Sequence, residues 1–160
     1  MPRESSTCVF SPDLLYRYLL THIWNTVQFP KLVMWIGLNP STADEQQLDP
    51  TLRRVKGFSQ SWGFDGFVMT NVFAYRATDP RVMMAASDPI GPDNDHHLMA
   101  IAAQTSLIVA CWGVHARHRG RDETVKGLLS GRLTALKVTK DGAPGHPLYL
   151  PKTLQPFPYA

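Results

Sequence analysis

A chain of 160 residues with 44% hydrophobic and 18% charged content fits one ordinary globular domain with a single substantial core. A formal charge of +3 permits contact with phosphate without requiring it, while two distant cysteines, Cys8 and Cys111, exclude a disulfide framework and suit a reduced, cytoplasmic setting. No apolar run reaches the roughly 20 residues needed to cross a bilayer, and no basic-then-apolar leader pattern is present, so no membrane partner is expected.

Residues 1–12 read as a short tail. The stretch Tyr16–Trp24, aromatic and aliphatic with polar interruptions at Arg17, Thr21 and His22, fits either an opening helix or an edge strand pair, and an extended hairpin is the reading carried forward. After a connector at Asn25–Lys31, Leu32–Leu38 is an unbroken apolar run, the composition of a strand buried on both faces. It switches at Gly37-Leu38-Asn39-Pro40-Ser41-Thr42-Ala43-Asp44 to turn and capping residues. In open α/β sheets ligands gather beyond the carboxyl ends of the strands, so this polar exit is the first candidate site.

Asp49 as N-cap and Pro50 at the first helical position predict a helix over Thr51–Trp62, ended by Gly63. Leu52, Val55, Phe58 and Trp62 form its apolar stripe, and Arg53, Arg54 and Lys56 fall mostly away from it. Gly66–Tyr75 reads as a second strand with Thr70-Asn71 inside it. A buried amide there must be tied to backbone or aimed at a ligand. Arg76-Ala77-Thr78-Asp79-Pro80 opens a long polar, proline-rich passage broken only by Val82–Ala86. A helix is expected from Pro92 to Gln104, and a third strand over Leu107–Trp112, closing at Gly113. A basic loop (Val114–Arg121) follows, then a helix near Asp122–Ser130, a fourth strand at Leu133–Thr139, and a stiff Gly/Pro loop from Lys140 to Leu150 that carries His146.

This alternation predicts a single α/β domain, a three-layer sandwich around a mainly parallel four-stranded sheet, with an N-terminal hairpin as a possible addition. Loops carrying Asn39, Asn71 with Arg76, Trp112-Gly113 with His115, and His146 are then expected at one sheet edge. There is no phosphate loop, no Gly-x-Gly-x-x-Gly fingerprint and no Gly-x-Ser-x-Gly elbow. Asp93, Asp95, His96 and His97 offer metal-type donors, but neighbouring residues on a helix point apart. No metal or other cofactor is therefore expected. A set of amides, hydroxyls, a histidine, an aspartate and cations can hold a water, read a base edge and stabilise a developing anion.

Several motifs resemble those of known families. Gly37-Leu38-Asn39-Pro40, the strand Leu107–Gly113 ending in Trp-Gly, and His146-Pro147 are similar to motifs of the uracil-DNA glycosylase superfamily, and Asn71 sits where that family carries a base-reading Asn. The chain resembles more closely the domain of unknown function 1643 group, through Gly37–Asp44, Asp49-Pro50-Thr51-Leu52-Arg53-Arg54, Arg76–Pro80 and His146–Leu150. The glycosylase resemblance implies a uracil-DNA glycosylase-like fold and a DNA glycosylase-like hydrolase acting on a nucleobase, nucleotide or DNA. Asn39 would position the attacking water, Asn71 would read the base, and His146 would stabilise the base anion. Asp44 joins the catalytic candidates. Gly37, Leu38, Pro40, Ser41, Thr42, Arg76, Trp112 and Gly113 join the substrate-binding ones, and Arg53, Arg54 and Lys140 the phosphate-binding ones. Ser41 replaces the superfamily's usual Gly, and Leu148-Tyr149 replaces its phosphate-gripping Ser. These changes suit a flipped modified base or a free nucleotide better than duplex uracil. A non-catalytic nucleotide or nucleic-acid binding module, with Arg53, Arg54, Arg76, Arg117, Arg119 and Lys140 on phosphate, is the alternative. A metal-dependent hydrolase using Asp44, Asp93 or His96 is the third reading.

Overall fold

Neither face of Leu32–Gly37 carries a polar side chain, and in the computed structural model this segment is the middle strand of one seven-stranded sheet. The structure describes residues 4–42 and 48–160. The elements are β1 (Ser5–Phe10), β2 (Arg17–Ile23), β3 (Leu32–Gly37), α1 (Pro50–Ser61), β4 (Gly66–Asn71), α2 (Pro80–Ala85), α3 (Asn94–Gln104), β5 (Ile108–Ala110), a 3-10 segment (Val114–Gly120), α4 (Arg121–Leu128), β6 (Leu133–Ala135) and β7 (Phe157–Pro158). The strand order is β1-β2-β4-β3-β5-β6-β7.

Strands β4, β3, β5 and β6 are mutually parallel, as βαβ crossovers require. The expectation of a four-stranded sheet is nonetheless corrected to seven strands. The antiparallel pair β1–β2 extends one edge through β2 and β4, and β7 pairs antiparallel with β6 at the other. Residues read as a tail thus include a strand. The sequence Ser5-Ser6-Thr7-Cys8-Val9-Phe10 is largely exposed, so it has no buried apolar face to reveal it. Strand β7 has only two residues, one of them proline, which is tolerated at a sheet edge.

Alternation along β3 divides the core. Val33 and Trp35 pack with Leu52, Val55 and Phe58 of α1. Met34 and Ile36 face the opposite cluster, with Met83 of α2, Leu98 and Ala102 of α3, and Val125 of α4. Helices therefore cover both faces of the sheet. Each such buried side chain contributes about 1.5–3 kcal/mol, so the central strands are anchored from both sides. The Trp35 indole donates to Ser59 Oγ at 3.0 Å, and Thr70 Oγ1 donates to the Trp35 carbonyl at 2.8 Å. These bonds tie α1, β3 and β4 together just below the strand exits.

Local signals act where expected at α1: Asp49 accepts from the Leu52 N–H at 2.8 Å, Pro50 opens the helix, and Gly63 follows it at φ +85°. The same device starts α2, where Asp79 accepts from the Arg81 N–H at 2.9 Å ahead of Pro80. Helix α2 takes up the short Val82–Ala86 segment that breaks the polar passage, and the basic loop after β5 is wound as 3-10 with a kink at His118 and Arg119. No helix among the described residues is long and apolar enough to cross a membrane.

Candidate functional site

The polar exit of β3 does not hang free. Its carbonyls are paired with the chain continuing from β4, through Val72 N–H to Gly37 O (2.9 Å), Phe73 N–H to Leu38 O (3.0 Å) and Ala77 N–H to Pro40 O (3.0 Å). This backbone zip holds Asn39 in place. The Asn39 amide nitrogen donates to Ala77 O at 2.8 Å and to Pro40 O at 3.3 Å. Flanked by two carbonyl oxygens, the amide must turn its NH2 toward them, so its oxygen is the free end. Among the described residues nothing donates to that oxygen.

Asn39 lines a cavity of about 250 Å³ at the carboxyl ends of the parallel strands, together with Gly37, Leu38, Pro40, Ser41, Asn71 and His146. Three segments far apart in sequence thus meet in one mouth. The volume lies near the lower end of ordinary small-molecule sites, about 300 Å³, and suits one small ring system rather than a dinucleotide. Leu52, Met69 and Cys111 supply apolar wall, and Arg17, Asp49, Thr51 and Thr78 supply further polar groups. Burial pushes the Cys111 thiol up to about 12, so it stays protonated and serves as wall.

Asn71 is 3% exposed and lines the cavity. An amide placed there can both donate to and accept from the edge of a ligand. Gly37 makes room for it: a Cβ there would sit 2.9 Å from Asn71 Oδ1 and 2.7 Å from Met69 Cε. From below, β4 is held by two buried side chains. Asn94, fully buried, donates to Asn71 O at 2.9 Å and to Val72 O at 3.2 Å. Arg121, 1% exposed, donates through Nε to Val72 O at 2.7 Å and pairs with Asp95.

His146 stands at the rim. Its loop is tied by Gly113 N–H to Pro144 O (3.0 Å) and Gly145 N–H to Lys137 O (2.7 Å). Its Nδ1 accepts from the Leu148 N–H at 3.2 Å, so the neutral ring carries its proton on Nε2. The residue is exposed overall, yet partial desolvation of the ring by surrounding protein lowers its pKa, and the Asp49 carboxylate opposes that shift. At neutral pH the ring is an uncharged donor.

Other candidates lie elsewhere. Asp44 falls outside the described residues. Thr42 Oγ1 lies 3.0 Å from Thr78 Oγ1 and reaches the cavity only through that neighbour. The Arg76 guanidinium stacks 4.9 Å from the Phe10 ring and donates to Leu14 O at 3.0 Å, committed to the N-terminal hairpin. Trp112 and Gly113 border a different cavity with Arg117, Lys126 and Tyr159. Arg53 and Arg54 border a third, and Lys140 is exposed outside all of these. Arg119 donates to Ser87 O and Ala86 O, and Asp93 and His96 lie at the exposed start of α3. Among the described residues no three His, Cys, Asp or Glu side chains converge as metal ligands.

Sequence reasoning missed Arg17, Asp49 as a wall residue, Asn94 and Arg121. Arg17 interrupts an apolar stretch and Asp49 had a sufficient role as a cap. Asn94 and Arg121 look like solvated helix-terminal residues until the fold places them. A model of the family described as "Protein of unknown function (DUF1643)" matches residues 17–148, a span that takes in every residue named above as lining the Asn39 cavity. No curated protein and no solved structure matches the chain.

Proposed function

The chain belongs to the DUF1643 family, and we propose that it is an enzyme acting on a nucleobase held in the Asn39 cavity, hydrolysing an N-glycosidic bond in DNA or a nucleotide on a uracil-DNA glycosylase-like scaffold. The observation that carries this reading is the meeting of three groups of different capacity in a cavity sized for one ring: the amide oxygen of Asn39, the amide of Asn71 and the neutral imidazole of His146. Asn71 donates to and accepts from the edge of the base. The C1′–N bond breaks with its electron pair passing to the base, and His146 Nε2–H donates a hydrogen bond to the anion that forms. A water held by Asn39 Oδ1 adds its oxygen to C1′, and the proton it gives up balances the charge of the departing base. Gly37, Leu38, Pro40 and Ser41 shape the wall around the ring.

Incubation with nucleotides and single-stranded oligonucleotides of varied base content, with free base measured by chromatography, tests this reading. Asn39→Ala is expected to slow base release by about 10²-fold or more while shifting the unfolding midpoint by no more than about 2–4 °C. Unchanged release in that variant overturns the assignment. The alternative, a binding module without turnover, is favoured by the cations set in a cleft apart from the cavity. It predicts saturable nucleotide binding with no release of base from any substrate.

A further inference from the structure

We infer that the cleft along α1 bordered by Arg53, Arg54, Gly57, Phe58, Ser61 and Lys152 is a second binding site, separate from the Asn39 cavity, for a phosphate group. The inference stands independently of what the first cavity does. The cleft encloses about 340 Å³, with the Phe58 ring as part of its wall. Two guanidinium groups and one ammonium border it, and among the described residues no carboxylate does. None of the three cations takes part in an ion pair among the described residues. Surface cations with this spacing are ordinarily solvated and mobile, but Arg54 is neither. Its guanidinium lies 5.2 Å from the Phe58 ring centre and donates to the Leu150 carbonyl, which fixes the charge at the cleft wall. Its Nε has no acceptor among the described residues, so donor capacity is left over.

Gly57 is the independent observation. It lies inside a helix, where glycine costs about 1 kcal/mol relative to alanine. Yet a Cβ built there meets nothing within 4 Å, so core packing does not require its absence. It sits one turn from Arg53 on the cleft wall, and a larger side chain at that position would narrow the cleft. The cost is explained if the space is used. One anchored and two exposed positive charges match a phosphate monoester, which carries about −1.5 to −2 at neutral pH, better than a carboxylate of unit charge.

The test is an NMR titration of the full chain with sodium pyrophosphate at low ionic strength. Saturable shifts of the amides of residues 53–61 and 152 are expected. Both the double variant Arg53→Gln with Lys152→Gln and the single variant Gly57→Leu are expected to bind at least about tenfold more weakly, since each 1.4 kcal/mol lost is a factor of ten. Gly57→Leu improves helix propensity, so its unfolding midpoint should not fall. Parallel titrations with a nucleoside 5′-monophosphate and a short single-stranded oligonucleotide separate the source of the phosphate. Equal binding of both marks a free ester, while tighter binding of the strand, weakening linearly with log salt, marks a polymer backbone. Absence of saturable shifts with all three probes, or undiminished binding in both variants, overturns the site.

Discussion

The amide of Asn71 and the imidazole of His146 give opposite kinds of test at the residue scale. If Asn71 serves a ligand, placing its amide in a largely buried wall is a stability cost borne for function. Asn71→Leu is then expected to keep or raise stability, by up to about 1 kcal/mol in denaturant unfolding, while abolishing nucleobase binding. A large loss of stability would instead make the amide structural. For His146 the neutral ring is the competent donor, and its pKa lies below the ordinary 6.5 because of partial desolvation. Activity is therefore present above pH 6.5 and lost as pH falls through the depressed value. Asp49→Asn removes the carboxylate that favours the charged ring, so the acid limb should move to still lower pH. Asn caps a helix as well as Asp, which leaves α1 intact in that variant. A pH–rate profile whose acid limb lies above pH 7 contradicts this assignment.

At the scale of elements, the site depends on how closely the ends of β3 and β4 approach. Gly37→Ala would bring a methyl to 2.7 Å from Met69 Cε and 2.9 Å from Asn71 Oδ1. The Met69 terminus is flexible and can yield, so the stability cost should fall near the low end of the about 1–3 kcal/mol typical of overpacking. The Asn71 amide has less freedom, because Asn94 holds the backbone beneath it. Binding should thus weaken far more than stability, measured by ligand titration beside chemical denaturation. The start of α1 was readable from Asp49-Pro50 because a cap is a contact between residues three apart in sequence. The second role of Asp49, beside His146, arises only because the loop after β6 returns to that helix.

For the whole molecule, Arg121 joins three elements: it begins α4, pairs with Asp95 on α3 and donates to the Val72 carbonyl beyond β4. Arg121→Ala leaves that carbonyl without one donor and Asp95 without its partner. The expected loss is about 2–3 kcal/mol in equilibrium unfolding, below the about 3–5 of a fully buried pair because Asp95 is half solvated. A loss under 0.5 kcal/mol would show that the clamp adds little beyond an ordinary surface residue. The parallel strands β3, β4, β5 and β6 and the capped helix α1 were legible in the chain itself. Apolar runs and capping residues act between neighbours in sequence, so their meaning survives without coordinates. Strands β1 and β7 were not legible, since an exposed or two-residue strand exists only by virtue of the edge it pairs with. The tertiary structure alone decided which polar residues share a mouth. It drew Arg17, Asp49 and Thr78 in beside Asn39, Asn71 and His146, and turned Arg76 and Trp112 toward other neighbours. The reason is physical: a side chain's partner depends on where distant strands end and loops return, and no local pattern records that distance.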